Sequence, residues 1–237
     1  ERASLVTDYF KHEDNPKEPM VVRRARALQY LLRNKSVRIY PDELIVGNMG
    51  SHRISALIQP ELAGVFMGTD LLWIDRRKTN PLRMPWRDRF KLLSEVYPYW
   101  LMRNMPFRAF FPHVRQFLRF ALGQLDATYY LVNEAGGIGH FLPNYEKMLK
   151  LGVKGYLEAI DGKEGDLYQA AKIACDGLVE FSHRFGEEAE HLAAQEKDQV
   201  RSAELSEIAR VCNKVPYNPA DTFQEALQSL WLTHMAV

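Results

Sequence analysis

The sequence predicts a predominantly α-helical fold with a few short strands. Three observations carry this expectation. Apolar residues recur at helical spacing through 18–33 and again through 167–195. Thr222, with Glu225 three residues on, has the pattern of a capping box that opens a further helix. Strand character gathers in SVRIYPDELIVGN at 36–48, where β-branched residues flank a Pro-Asp turn signal.

In EPMVVRRARALQYLLR the residues Val21, Ala25, Leu28 and Leu32 share one face and the arginines take the other, which defines an amphipathic surface helix. Glu43 to Val46 then reads as a short strand ending at Gly47. From about 49 to 116 the chain is rich in aromatics, Arg and Pro, and the prolines interrupt any long periodicity, so short helices are expected. Within it, WRDRFKLLSEVYPYWL places Phe90, Leu93, Val96 and Tyr97 at helical spacing until Pro98 ends or kinks the helix.

Tyr145, Met148, Leu149, Gly152, Tyr156 and Ile160 define the next helical face, and DGKEGD at 161–166 is a polar turn. A long helix follows with Ala171, Ala174, Leu178, Phe181, Phe185, Ala189 and Leu192 on one stripe. SAELSEIARVC is a shorter helix for which Ser202 is the expected N-cap. The final helix opens at Asp221 and Thr222. No repeat, low-complexity tract or separating linker is evident, so 1–237 reads as one domain, and both ends read as cut.

Composition narrows the function. With 237 residues and 46% hydrophobic side chains the chain can fill a real core. Thirty-one basic against thirty acidic residues leave a charge of +1, so no global field draws the protein to nucleic acid or to an anionic membrane. No apolar run approaches the ~20 residues of a membrane span, and no signal peptide pattern is present, so the chain reads as cytoplasmic. Cys175 and Cys212 lack metal or disulfide spacing and sit in helical patterns, which assigns both to structure. None of the seven histidines pairs with another at the i, i+4 spacing of a helical metal site, so no metal is expected.

The stretch NEAGGIGHFLPNYEKMLKLG at 133–152 carries the one candidate site. Gly136, Gly137 and Gly139 would let a loop approach a ligand closely, and His140 lies where the chain enters the next helix. These glycines match neither a dinucleotide fingerprint nor a P-loop, which argues against phosphate binding. His140 can therefore be a pocket donor or an ordinary loop histidine.

Three blocks in order resemble the glycyl radical enzymes, the family of pyruvate formate-lyase. They are EPMVVRRARALQYLLRN with PDELIVGNMGSHRISALIQPEL, then GGIGHFLPNYEKMLKLGVKGYLEAI, then VPYNPADTFQEALQSLWL. The resemblance implies that the chain is the N-terminal portion of a ten-stranded β/α barrel enzyme. It also implies a protein-derived glycyl radical, installed by a radical S-adenosylmethionine activase, and a homodimer at full length. The radical glycine and thiyl cysteine are expected outside this chain, so no catalytic residue is assigned within it. By the spacing from GGIGH to Tyr145, His140 falls on a substrate-pocket position of the family.

A histidine there, in place of an arginine, favours a hydroxylated small organic substrate over pyruvate. Lyase or dehydratase chemistry is the leading expectation. Arylacetate decarboxylation and addition to fumarate are alternatives, as is a non-enzymatic helical domain that binds protein through its aromatic middle. Burial of Trp73, Trp86 and Trp100 would favour scaffold over a binding face.

Overall fold

The computed structural model describes residues 1–55, 57–78, 81–103 and 142–236, with 113, 115, 118, 119, 122 and 123 besides. Among the described residues every regular element is helical; there is no strand, sheet or barrel. This corrects the expectation of a few short strands belonging to a ten-stranded β/α barrel. The physical reason is visible at 36–48, where side chains take the backbone bonds that a partner strand would have made. The Val46 N–H donates to Gln228 Oε1 at 2.8 Å, and Gln228 Nε2 donates to Val46 O at 2.7 Å. Asn48 Nδ2 donates to Ser36 O at 2.9 Å, while Arg201 reaches Tyr40 O and Glu43 O at 3.2 and 3.0 Å. The Pro41-Asp42 turn forms as expected.

The chain divides into two compact units, 1–57 with 142–237, and 58–141. In the first, α1 (Arg2–Asp8) runs into a π-helical turn, Tyr9–Glu13, and α2 (Met20–Asn34) follows. Helix α2 buries Val22, Ala25, Ala27, Leu31 and Leu32 and packs Leu28 on the core, so three of the four expected stripe residues face inward while Val21 is exposed. In the second unit lie α3 (Pro60–Trp73), α4 (Trp86–Lys91), a π-helical turn Leu92–Val96, and α5 (Tyr97–Leu101). Short helices were expected here. Their buried side chains include Met67, Leu71, Leu92, Val96 and Trp100, whereas Phe90 is exposed. Helical backbone runs on through Val96 and Tyr97 into α5, so Pro98 does not end the helix, and the π-helical turn 92–96 directly precedes it.

The first unit continues with α6 (Tyr145–Ala159), α7 (Asp166–Gln195), α8 (Gln199–Lys214) and α9 (Phe223–Ala236). Helix α7 is the axis, packed on α2 and α8. Phe181 and Phe185 are fully buried and meet edge to face, 5.2 Å apart, and around them close Leu32, Val46, Leu205, Ile208, Leu232 and Met235. Arg184 leaves α7 to donate to Leu32 O and Lys35 O, both at 2.7 Å, which satisfies carbonyls at the end of α2. The N-cap of α8 is Asp198, which accepts from the Val200 N–H at 3.1 Å. This corrects the expectation of Ser202, whose hydroxyl, one turn inside the helix, donates to Ala193 O instead.

The capping box of α9 is present as expected. Glu225 N donates to Thr222 Oγ1 at 3.2 Å, and Thr222 N to Glu225 Oε2 at 3.3 Å. The same buried carboxylate also takes the Asp221 N–H, Lys214 Nζ at 2.7 Å and Arg210 Nη1 at 2.9 Å. Burial alone would raise its pKa, but these donors hold it down to about 2. Glu225 therefore contributes stability that is complete above the ordinary glutamate range and is lost as pH falls toward about 2. Replacement by Gln should cost about 2 kcal/mol at pH 7, discounted for the exposure of Arg210. Urea melts should show that cost vanish near pH 2; a loss independent of pH would contradict the ionic role.

Lys35 has the opposite balance. It is buried with its ammonium 5.3 Å above the Phe181 ring, and burial lowers its pKa to about 8 against the upward pull of Glu1. The unfolded chain holds that proton up to the ordinary lysine value, so the charged form costs stability below about pH 8 and the cost is relieved as pH rises past it. Lys35→Met should be more stable than the parent by about 2 kcal/mol at pH 7. Denaturant midpoints from pH 7 to 10.5 should show the advantage shrink; a constant gap would overturn the assignment.

Candidate functional site

His140 and the glycines at 136, 137 and 139 lie outside the described residues. What the structure does describe is the ground directly after them in the chain, the start of α6. Asn144 caps that helix, accepting from the Lys147 N–H at 3.0 Å. Tyr145, five positions after His140, has its hydroxyl 3.1 Å from His234 Nδ1 on α9. The His234 ring stacks on Trp231, with centroids 6.0 Å apart and planes 25° from parallel. Trp231 Nε1 in turn donates to Gly47 O at 3.2 Å. Gly47 has φ +149, and a side chain there would come within 2.8 Å of the Trp231 ring, so this close approach calls for glycine.

A continuous chain of contacts thus joins the 46–48 segment to α9 and to the first residue of α6. The phenol and the imidazole form a hydrogen bond in either direction, because Nδ1 accepts in one tautomer and donates in the other. Sequence reasoning counted His234 only as one of seven histidines. Nothing in its own neighbourhood pointed to Tyr145, which is 89 positions away.

The middle of α6 is held by backbone contacts. At Gly152 the chain leaves helical geometry with φ 64 and ψ −178. A Cβ there would sit 2.4 Å from Tyr217 O, closer than any real contact. The space is taken by the segment after α8, whose Val215–Pro216 bond is cis. Val153 N donates to Pro216 O at 2.8 Å, Lys154 N to Tyr217 O at 2.9 Å, and Ala220 N to Leu149 O at 3.1 Å. Gly152, expected on the face of this helix, is therefore a contact glycine, docking α6 onto the 215–220 segment.

Among the described residues no three His, Cys, Asp or Glu side chains gather to hold a metal. Burial pushes the Cys175 thiol up to about 11 and the Cys212 thiol up to about 12, which keeps both protonated near neutral pH and unreactive as nucleophiles. Of the tryptophans, Trp100 is buried, whereas Trp73 and Trp86 are exposed, Trp73 under the Arg76 guanidinium. No described helix is long and apolar enough to cross a membrane.

The chain belongs to the pyruvate formate lyase-like family, which it matches over residues 1–237. It is 30% identical to an isethionate sulfite-lyase of Oleidesulfovibrio alaskensis over 99% of its own length and 30% of that protein's. It is 28% identical to a trans-4-hydroxy-L-proline dehydratase of Clostridioides difficile, over all of this chain and 31% of the relative. A glycyl radical enzyme from Archaeoglobus fulgidus superposes with a TM-score of 0.83 at 32% identity, covering 99% of this chain and 31% of that one. The chain thus spans about a third of the length of the relatives it matches.

Gly152→Ala should lower the unfolding free energy by about 2–4 kcal/mol, through the left-handed φ and the displaced 217–218 backbone. Thermal melts would check it. A melt unchanged within 1 °C would show that α6 is not docked as described.

Proposed function

We propose that the chain is part of a glycyl radical enzyme, a radical lyase or dehydratase acting on a small organic substrate. The observation that carries this reading is the family match along the whole chain, with relatives named as a sulfite-lyase and a hydroxyproline dehydratase. On this reading 1–237 is one incomplete domain of such an enzyme. The glycyl radical and the cysteine it oxidises belong to polypeptide outside this chain, and a radical S-adenosylmethionine activase installs the radical. The whole enzyme works in the cytoplasm as a homodimer.

Within this chain the substrate contact falls to His140. Gly136, Gly137 and Gly139 let its loop approach the bound molecule, and the capped, Tyr-led start of α6 fixes where that loop ends. An imidazole can donate to or accept from a substrate hydroxyl, and unlike a guanidinium it does not demand a carboxylate partner. A hydroxylated substrate is therefore favoured over an oxo acid. The names of two relatives agree in part: hydroxyproline carries a hydroxyl, and the sulfite-lyase is named for releasing sulfite from isethionate.

In the full-length enzyme, His140→Ala should slow turnover about 10²-fold or more, in keeping with loss of a positioned donor. The glycyl radical signal in electron paramagnetic resonance should form to the parent's extent. Turnover equal to the parent's would remove the assignment, and loss of the radical itself would move His140 from substrate contact to radical installation.

A further inference from the structure

Helix α9 has its polarity reversed. The residues it turns inward are mostly polar: Glu225, Gln228, Ser229 and Thr233 are all buried, beside Leu232 and Met235. Glu225, Gln228 and Thr233 have their partners. Glu225 is held by Lys214, Arg210 and two backbone N–H groups, Gln228 by the Val46 backbone, and Thr233 by Ser229 O at 2.7 Å. The outward row is apolar. Phe223, Leu227 and Trp231, at i, i+4 and i+8, are 80%, 38% and 37% exposed. Phe223–Ala236 contains no Lys, Arg or Asp, and its single carboxylate is Glu225, turned inward.

A helix face meant for water carries charges, and this one has none outward. Trp231 is anchored on its edge by the bond to Gly47 O and by the His234 stack, so the row is presented in a set geometry. Three such side chains offer on the order of 300 Å². Two copies meeting through this row would bury roughly 600 Å², about half of what a stable dimer needs. An uncharged row of this size suits a seam inside one folded body, where the rest of the interface supplies the remaining area.

The relatives carry more than twice as much polypeptide outside the third that this chain matches. We propose that the Phe223–Leu227–Trp231 row is the docking seam for that remaining part of a pyruvate formate lyase-like enzyme. The inference rests on family membership and on α9, and is independent of any role for His140.

The test uses the 237-residue chain and, as a separate polypeptide, the isethionate sulfite-lyase of Oleidesulfovibrio alaskensis lacking its matching third; that relative's own missing third is the positive control. Binding is measured by sedimentation, and side-chain access by hydroxyl-radical footprinting. The parent chain should form a complex in which Phe223 and Trp231 are protected. Phe223→Ser, at a position 80% exposed and so with little to lose in the free fold, should weaken binding at least tenfold while leaving the thermal midpoint of the free chain unchanged, and adding Leu227→Glu should weaken binding further.

Three results would overturn the proposal. The first is no complex while the control binds, and the second is a complex in which Phe223 and Trp231 oxidise as in the free chain. The third is self-association of the parent that the double substitution disperses, which would give the row to a second copy.

Discussion

The first unit depends on satisfying a buried polar helix face. Helix α9 enters the core with Glu225, Gln228, Ser229 and Thr233, and the desolvation of Glu225, Gln228 and Thr233 is offset by the bonds their side chains make. Glu225 draws in two cations from α8 and the N–H groups of the two residues just before its own helix, so one carboxylate starts α9 and ties it to α8. Gln228 does the same for the 36–48 segment, taking both backbone groups of Val46. The apolar cluster around Phe181 and Phe185 supplies the general driving force. The polar bonds decide which surfaces it closes upon.

That arrangement reaches the candidate site through two contacts of different kind. Backbone bonds dock α6 at Gly152 against the 215–220 segment that leads into α9. Side chains then tie the first residue of α6 to the far end of α9, through Tyr145, His234 and Trp231, and on to Gly47. Helix α6 is thus held at its first residue by the far end of α9 and at its middle by the segment that leads into α9. A pocket loop needs an anchored end if its functional group is to be placed reproducibly.

Sequence by itself determined α2 and the helices α6 to α9, the turn at 161–166, the capping box and the family. These are local or pattern-level properties: apolar spacing of 3.6 residues, Gly and Pro punctuation, and a Thr/Glu pair three apart. The same logic read residues 43–46 as a strand, because β-branched residues beside a turn signal look alike whether the partner is a strand or a side-chain amide. It chose Ser202 over Asp198 as a cap because both have capping side chains and only the path of the chain distinguishes them.

Tertiary structure alone decided the partners across long sequence separations. Gln228 and Val46 lie 182 positions apart, and Tyr145 and His234 lie 89 apart. No local propensity encodes such pairs, since each depends on where two helices finally pack. It also decided which way α9 faces. Its periodicity defines a polar and an apolar side, and pattern alone would send the apolar one inward. The reversal follows from the bonds waiting inside, from Lys214, Arg210 and Val46, which exist only once the other helices are in place.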